Sequence, residues 1–144
     1  MAVLYAESSA VLAWILGEER GGIVERLLAR APRVVCSELT LVECDRSLHR
    51  CAATGRHPEG ETAAMRAVLV TAVVHWSRVR IGGHVLARAR RRFPYEPVRS
   101  LDALHLATAA HLRDLGADLQ VLSLDHRVRE NAEALGFDVL PGGR

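Results

Sequence analysis

Short continuous apolar runs alternate with longer stretches of helical periodicity along this chain. Val3-Leu4-Tyr5, Val34-Val35-Cys36, Val73-Val74-His75-Trp76, Val121-Leu122-Ser123-Leu124 and Phe137-Asp138-Val139-Leu140 read as strands. Ser8-Ser9 opens a helix over Ala10 to Leu16 with a serine N-cap, and Gly17 ends it. A second helix runs from Gly22 to Arg30 and is broken by Pro32. From Ser37 to Thr54 the positions Leu41, Cys44, Leu48 and Cys51 form one apolar stripe. Further helices are predicted over Glu61 to Val70, Gly82 to Arg92, Ser100 to Leu115 and Val128 to Leu135. Gly116 and Gly136 stop the last two. Pro94 and Pro97 bracket a loop.

Strands this short and uniformly apolar are covered on both faces. The alternation therefore predicts an α/β fold, a parallel sheet with helices on both sides. No repeat, low-complexity segment or linker interrupts it, so residues 1–144 read as one domain of ordinary size.

Composition narrows the chemistry. Hydrophobic residues make up 49% and charged residues 25%, values of a globular chain. No apolar run approaches the ~20 residues of a membrane span. The N-terminal stretch lacks a basic start and is interrupted by Glu7, so it does not read as a secretion signal, and a cytoplasmic location is expected. Cys36, Cys44 and Cys51 are odd in number and form no CxxC pair, which leaves them as small buried hydrophobes. The chain contains no lysine: all 19 basic residues are arginine. That excludes a Walker A loop, a Schiff-base lysine and a receiver-type phosphoacceptor site. The net charge is only +2, so contact with nucleic acid must come from a local patch.

Four carboxylates stand where strands give way to helices, or just inside those helices: Glu7, Glu43, Asp102 and Asp125. In an open parallel sheet, ligands bind beyond the carboxyl ends of the strands, where the winding reverses. Singly, each has an ordinary explanation. Asp102 complements a helix N-terminus, Asp125 is a turn or cap residue, Glu43 lies opposite its helix's apolar stripe, and Glu7 is a loop charge. Gathered together without a cation they would repel, and at least one would have a raised pKa.

The blocks around them resemble the PIN-domain nucleases, most closely the VapC-type toxins of toxin–antitoxin pairs. Leu4-Tyr5-Ala6-Glu7-Ser8-Ser9-Ala10-Val11 is similar to the family's opening strand and acidic turn. Ser37-Glu38-Leu39-Thr40-Leu41-Val42-Glu43 is similar to its second acidic block. Ser100-Leu101-Asp102-Ala103-Leu104-His105-Leu106-Ala107-Thr108-Ala109 is the most specific match. Leu122-Ser123-Leu124-Asp125-His126-Arg127, followed by Ala134 to Leu140, resembles the C-terminal end.

The resemblance implies a single PIN-like domain with a five-stranded parallel sheet, its first strand central and helices on both faces. It implies a metal-dependent endoribonuclease that uses Mg²⁺ or Mn²⁺. Glu7, Glu43, Asp102 and Asp125 carry over as the acidic, metal-holding set, and Ser9 as the hydroxyl beside the metal. It also implies a homodimer, silenced by a cognate VapB-type antitoxin. One position departs from the pattern: the first acidic residue is normally Asp and here is Glu7. Its oxygens reach about an ångström further, while productive sites hold geometry to roughly half an ångström. A catalytically weak or inactive PIN-like RNA-binding or interaction module is therefore the alternative reading, and a Mg²⁺-dependent DNA nuclease or other phosphoesterase is a third.

Arg88, Arg90, Arg91 and Arg92, followed by Phe93 and Tyr95, form the densest basic stretch with interleaved aromatics, and Arg99 and Arg127 flank the acidic blocks. Guanidinium groups suit phosphates and aromatic rings stack on unpaired bases, so Arg88, Arg91, Arg92, Arg99 and Arg127 are the expected RNA contacts. His105 falls inside the Asp102 block and reads as a packing residue.

Overall fold

Residues 2–143 are described by a computed structural model. Strand β1 (Val3–Ala6) lies at the centre of the sheet, next to β2 (Arg33–Ser37) on one side and β4 (Leu119–Leu122) on the other. β3 (Ser77–Val79) and β5 (Asp138–Leu140) form the two edges, giving the order β3-β2-β1-β4-β5 with every pair parallel. The helices are α1 (Ser8–Ile15), α2 (Gly21–Arg30), α3 (Glu38–Ala53), α4 (Glu59–Val73), α5 (Gly83–Ala89), α6 (Ser100–Asp114) and α7 (His126–Ala134).

Two cores follow from the period-two alternation of the strands. Leu4 and Ala6 of β1, Val34 and Cys36 of β2 and Leu122 of β4 pack with α1 to α4 on one face. Tyr5, Val35 and Val121 point to the other face and pack with α6, α7 and Phe93. The five-stranded parallel sheet flanked by helices is thus the predicted architecture. The three cysteines are buried as expected, and burial pushes the thiols of Cys36 and Cys44 up to about 11 and about 12.

The third strand lies elsewhere than predicted. Val73 is the last residue of α4, and the apolar run through Trp76 is that helix's exit, with Val74 exposed. The strand is Ser77-Arg78-Val79, polar because it forms an edge and is open to water on one side. Helix α1 is capped by Glu7, not by a serine: the Glu7 side chain accepts from Ser9 N. Arg99, not Ser100, occupies the cap position of α6 and makes no side-chain cap bond. Helix α5 stops at Ala89, so Arg90, Arg91 and Arg92 belong to the loop that follows.

Winding reverses between β1 and β4, and the register fixes what meets there. Ala6 pairs with Leu122, and Glu7 N donates to Leu122 O at 3.0 Å. Glu7 and Ser123 therefore leave the sheet side by side, at the topological switch point.

Candidate active site

The two turns at the switch point are tied by hydroxyls. Glu7 Oε2 accepts from Ser9 N at 3.0 Å and from Ser123 Oγ at 2.8 Å, and Ser9 Oγ donates to the same oxygen. Ser9 Oγ in turn accepts from Leu124 N at 2.9 Å and Asp125 N at 3.1 Å. A hydroxyl has one donor and two acceptor lone pairs. That of Ser9 donates to Glu7 in its own turn and accepts from two N–H groups of the β4–α7 turn, which ties the two turns together. Glu7 is only 3% exposed, and burial raises its carboxyl pKa against the opposing effects of His105 and the serines.

Glu43 is held by a second network. Its Oε1 accepts from Ser8 Oγ at 2.7 Å and lies 2.6 Å from His105 Nε2. An ionised carboxylate only accepts, so Nε2 carries the proton in this contact. On the other side of the ring, His105 Nδ1 meets the hydroxyl of Tyr5 at 2.8 Å. Tyr5 and His105 are both buried. Burial works to raise the Glu43 pKa, but the hydrogen bonds from His105 and Ser8 and the His105 charge outweigh it and hold the carboxyl below its ordinary value.

Asp102, in the first turn of α6, and Asp125, the N-cap of α7, line one cavity of about 560 Å³ with Arg99, His126 and Arg127. Burial, then the neighbouring charge of Asp125, raises the Asp102 pKa, and Glu43 adds to it. The Asp125 cap uses Oδ1, which accepts from Val128 N at 3.0 Å.

The carboxylates share one property. Glu7, Glu43 and Asp125 each have one oxygen anchored by the hydrogen bonds above. The other oxygen of each accepts no hydrogen bond within the described residues, nor does either oxygen of Asp102. The one fully buried side-chain polar atom without a partner there is Arg88 Nη1, so these free oxygens keep access to solvent. No three His, Cys, Asp or Glu side chains among the described residues form a metal-sized group. The structure brings Asp102 and Asp125 to one cavity, with Glu43 near enough to raise Asp102. It turns Glu7 into the serines. Hard all-oxygen donors, a mutual repulsion that a cation would relieve and room for water fit Mg²⁺, which takes one or two protein carboxylates and keeps several waters.

The arginines divide. The Arg88 guanidinium lies 4.6 Å above the Phe93 ring centroid with Nη1 buried, so Arg88 is packed instead of presented. Phe93 itself is 2% exposed and no base can stack on it. Arg91 and Arg92 are exposed and line a cavity of about 460 Å³ with Glu96 and Val98. Val98 also lines the Asp102/Asp125 cavity, so the two are neighbours with one wall residue in common. Arg99 is exposed at the acidic cavity, and Arg127 there pairs with Glu130 at 3.5 Å.

Sequence reasoning assigned His105 to packing and gave Tyr5, Ser8 and Ser123 no chemical role. The available signal was spacing. His105 lies three residues after Asp102, on the same face of α6 one turn on, and is buried where Asp102 is half-exposed.

Comparison with known proteins agrees with the fold. The PIN domain profile matches residues 4–134. The ribonuclease VapC46 of Mycobacterium tuberculosis is 35% identical over 142 residues, 97% of this chain and 98% of that protein. The ribonuclease VapC35 of the same species is 30% identical over 144 residues, 99% of this chain and 98% of that protein. Among solved structures, the M. tuberculosis toxin VapC20 superposes with a TM-score of 0.64 at 19% identity, covering 93% of this chain and 95% of that one, a likeness of fold. The chain belongs to the PIN-domain family, among its VapC-type members.

Proposed function

We propose that this protein is a divalent-metal-dependent endoribonuclease, the toxin of a toxin–antitoxin pair. The observation that carries the reading is the set of half-anchored carboxylates at the switch point, each with an oxygen left open. Support comes from VapC46 and VapC35, which are named ribonucleases and match this chain over nearly their whole length.

Asp102 and Asp125 would hold Mg²⁺ or Mn²⁺ with their free oxygens, and Glu7 Oε1 and Glu43 Oε2 complete the acidic set. A bound divalent cation supplies a nucleophilic water at neutral pH and neutralises charge on the phosphoryl oxygens. Glu43, kept ionised by His105 and Ser8, orients the attacking water by accepting its hydrogen bond. Arg99 and Arg127 hold phosphates flanking the scissile one, and Arg91 and Arg92 extend that grip along the neighbouring cavity. A VapB-type antitoxin that covers the acidic cavity would silence the enzyme, and a homodimer in the cytoplasm completes the reading. None of the helices among the described residues is long and apolar enough to cross a membrane.

A second reading is a PIN-like RNA-binding or interaction module with weak or no cleavage. Glu7 favours it: the longer side chain is buried in the serine network, and no metal-sized group of three carboxylates forms around it among the described residues. Expression alone in a bacterial host, with RNA and DNA cleavage assayed side by side, separates the two. The toxin reading expects growth arrest and metal-dependent RNA cleavage. Normal growth with RNA binding but no cleavage supports the module.

A further inference from the structure

The loop between α5 and α6 holds the backbone of one exposed aromatic residue in place. Glu96 closes it from within, Oε2 accepting from Phe93 N at 2.9 Å and Oε1 from Val98 N at 2.8 Å. Phe93 anchors it to the core. From α7, the wholly buried Asn131 clamps the backbone of Tyr95 on both sides. Its Oδ1 accepts from Tyr95 N at 2.9 Å, and its Nδ2 donates to Tyr95 O at 3.1 Å. A buried amide matched to one residue's backbone gives that residue a fixed direction, and its loss would leave paired groups unsatisfied. Yet the residue so held is 48% exposed.

Its surroundings say what the ring meets. Tyr95 lines a cavity of about 880 Å³ with Arg20, His126 and Arg129, a size within the ~300–1,000 Å³ range of small-ligand sites. His126 also lines the Asp102/Asp125 cavity, so the two concavities lie on either side of one residue. Arg129 is anchored by donating to Ser123 O and Pro141 O, both at 2.8 Å, and Arg20 lies close enough to repel it. Glu130 and Glu133 share the wall, but Glu130 is engaged by His126 and Arg127. Arg20 makes no ion pair among the described residues.

We propose that Tyr95 is the platform on which an unpaired RNA base stacks beside the cleavage site, with the adjoining phosphate held at Arg20. The inference rests on the ribonuclease reading for its substrate, and it adds a residue that selects single-stranded RNA. An aromatic ring and a cation on the wall of one cavity serve base and phosphate together, and a backbone already fixed lowers the entropy lost on binding. Phe93, the other aromatic of this stretch, is excluded by its burial.

The test is equilibrium binding of a single-stranded RNA carrying a fluorescent adenine analogue, with chelator present so that no cleavage occurs. Wild type and Tyr95→Phe should bind alike and quench the analogue. Tyr95→Ala and Tyr95→Leu should bind about 5- to 150-fold more weakly with the quenching lost. Both substitutions leave the Asn131 clamp intact, because it uses backbone atoms. An RNA abasic at the quenched position should bind equally poorly to wild type and Tyr95→Ala. Unchanged binding by Tyr95→Ala, or an equal loss on intact and abasic RNA, overturns the platform. Cleavage of the same RNA with metal restored reports separately on the ribonuclease reading, which can fail while the stacking result stands.

Discussion

His105 Nε2 lies 2.6 Å from Glu43 Oε1, joining α6 to α3 across the edge of the acidic site. Behind it stands the Tyr5 hydroxyl, so two buried side chains in series fix the direction of one half-buried carboxylate. His105→Ala removes the link and leaves Tyr5 without this partner. The expected loss is about 1–3 kcal/mol of stability, for a buried polar group left unsatisfied. Activity should fall about 10- to 100-fold, as for groups that orient metal ligands. His105→Gln, which keeps a donor, should recover part of it. Thermal melts beside kcat/KM on RNA check both.

Ser9→Ala probes the lock between the two turns. It takes away the acceptor of Leu124 N, one of the two acceptors of Asp125 N (the other is Ser123 Oγ at 3.1 Å), and one donor to Glu7 Oε2. Stability should drop by about 1–3 kcal/mol, read by denaturant titration. Mn²⁺ affinity, read by calorimetry, should weaken as Asp125 loses its position. Wild-type affinity in this variant would remove Ser9 from the site.

Asp102→Asn carries a pH signature. Burial and the charge of Asp125 raise its carboxyl pKa in the folded state. A carboxyl with a raised folded pKa favours folding while protonated and loses that contribution as pH rises through the folded value. At neutral pH the ionised group is therefore a strain on the fold, and Asp102→Asn should melt higher than wild type there. The advantage should vanish at pH below the ordinary carboxylate range. Added Mg²⁺ should raise the wild-type Tm and leave that of the variant nearly unchanged. Melting curves across pH, with and without the cation, show all three.

Gly21 is required by close approach, not by its dihedral angles. A Cβ there would overlap the backbone carbonyl of Ala13, where α2 packs on α1. Gly21→Ala should cost about 1–3 kcal/mol, the usual range for overpacking, since a backbone oxygen cannot rotate away. A Tm equal to wild type would show that the two helices separate freely.

How legible was this in the sequence? The central strands were, because Val34-Val35-Cys36 and Leu4-Tyr5 are buried on both faces and carry continuous apolar runs. The edge strand Ser77-Arg78-Val79 was not, because an edge has one wet side and no such run, while the α4 exit at Val73 imitated one. Glu7 and Asp125 were visible as residues following strands, and Glu43 and Asp102 through the family likeness of their blocks. Their partners were not: Ser123 meets Glu7 across 116 positions and His105 meets Glu43 across 62, and no local periodicity encodes either. Arg88 and Phe93 looked like an RNA-facing pair and instead pack on each other, since aromatic and basic alternation is the same for a stacked pair as for a binding stripe.

Cleavage of a structured RNA panel by wild type and by Asp102→Asn, each with Mn²⁺ and with chelator, tests the central claim most directly. Cleavage by wild type with the metal alone, reduced by more than about 100-fold in the variant, is the predicted result. Equal cleavage by both proteins, or cleavage by wild type that survives the chelator, would contradict it.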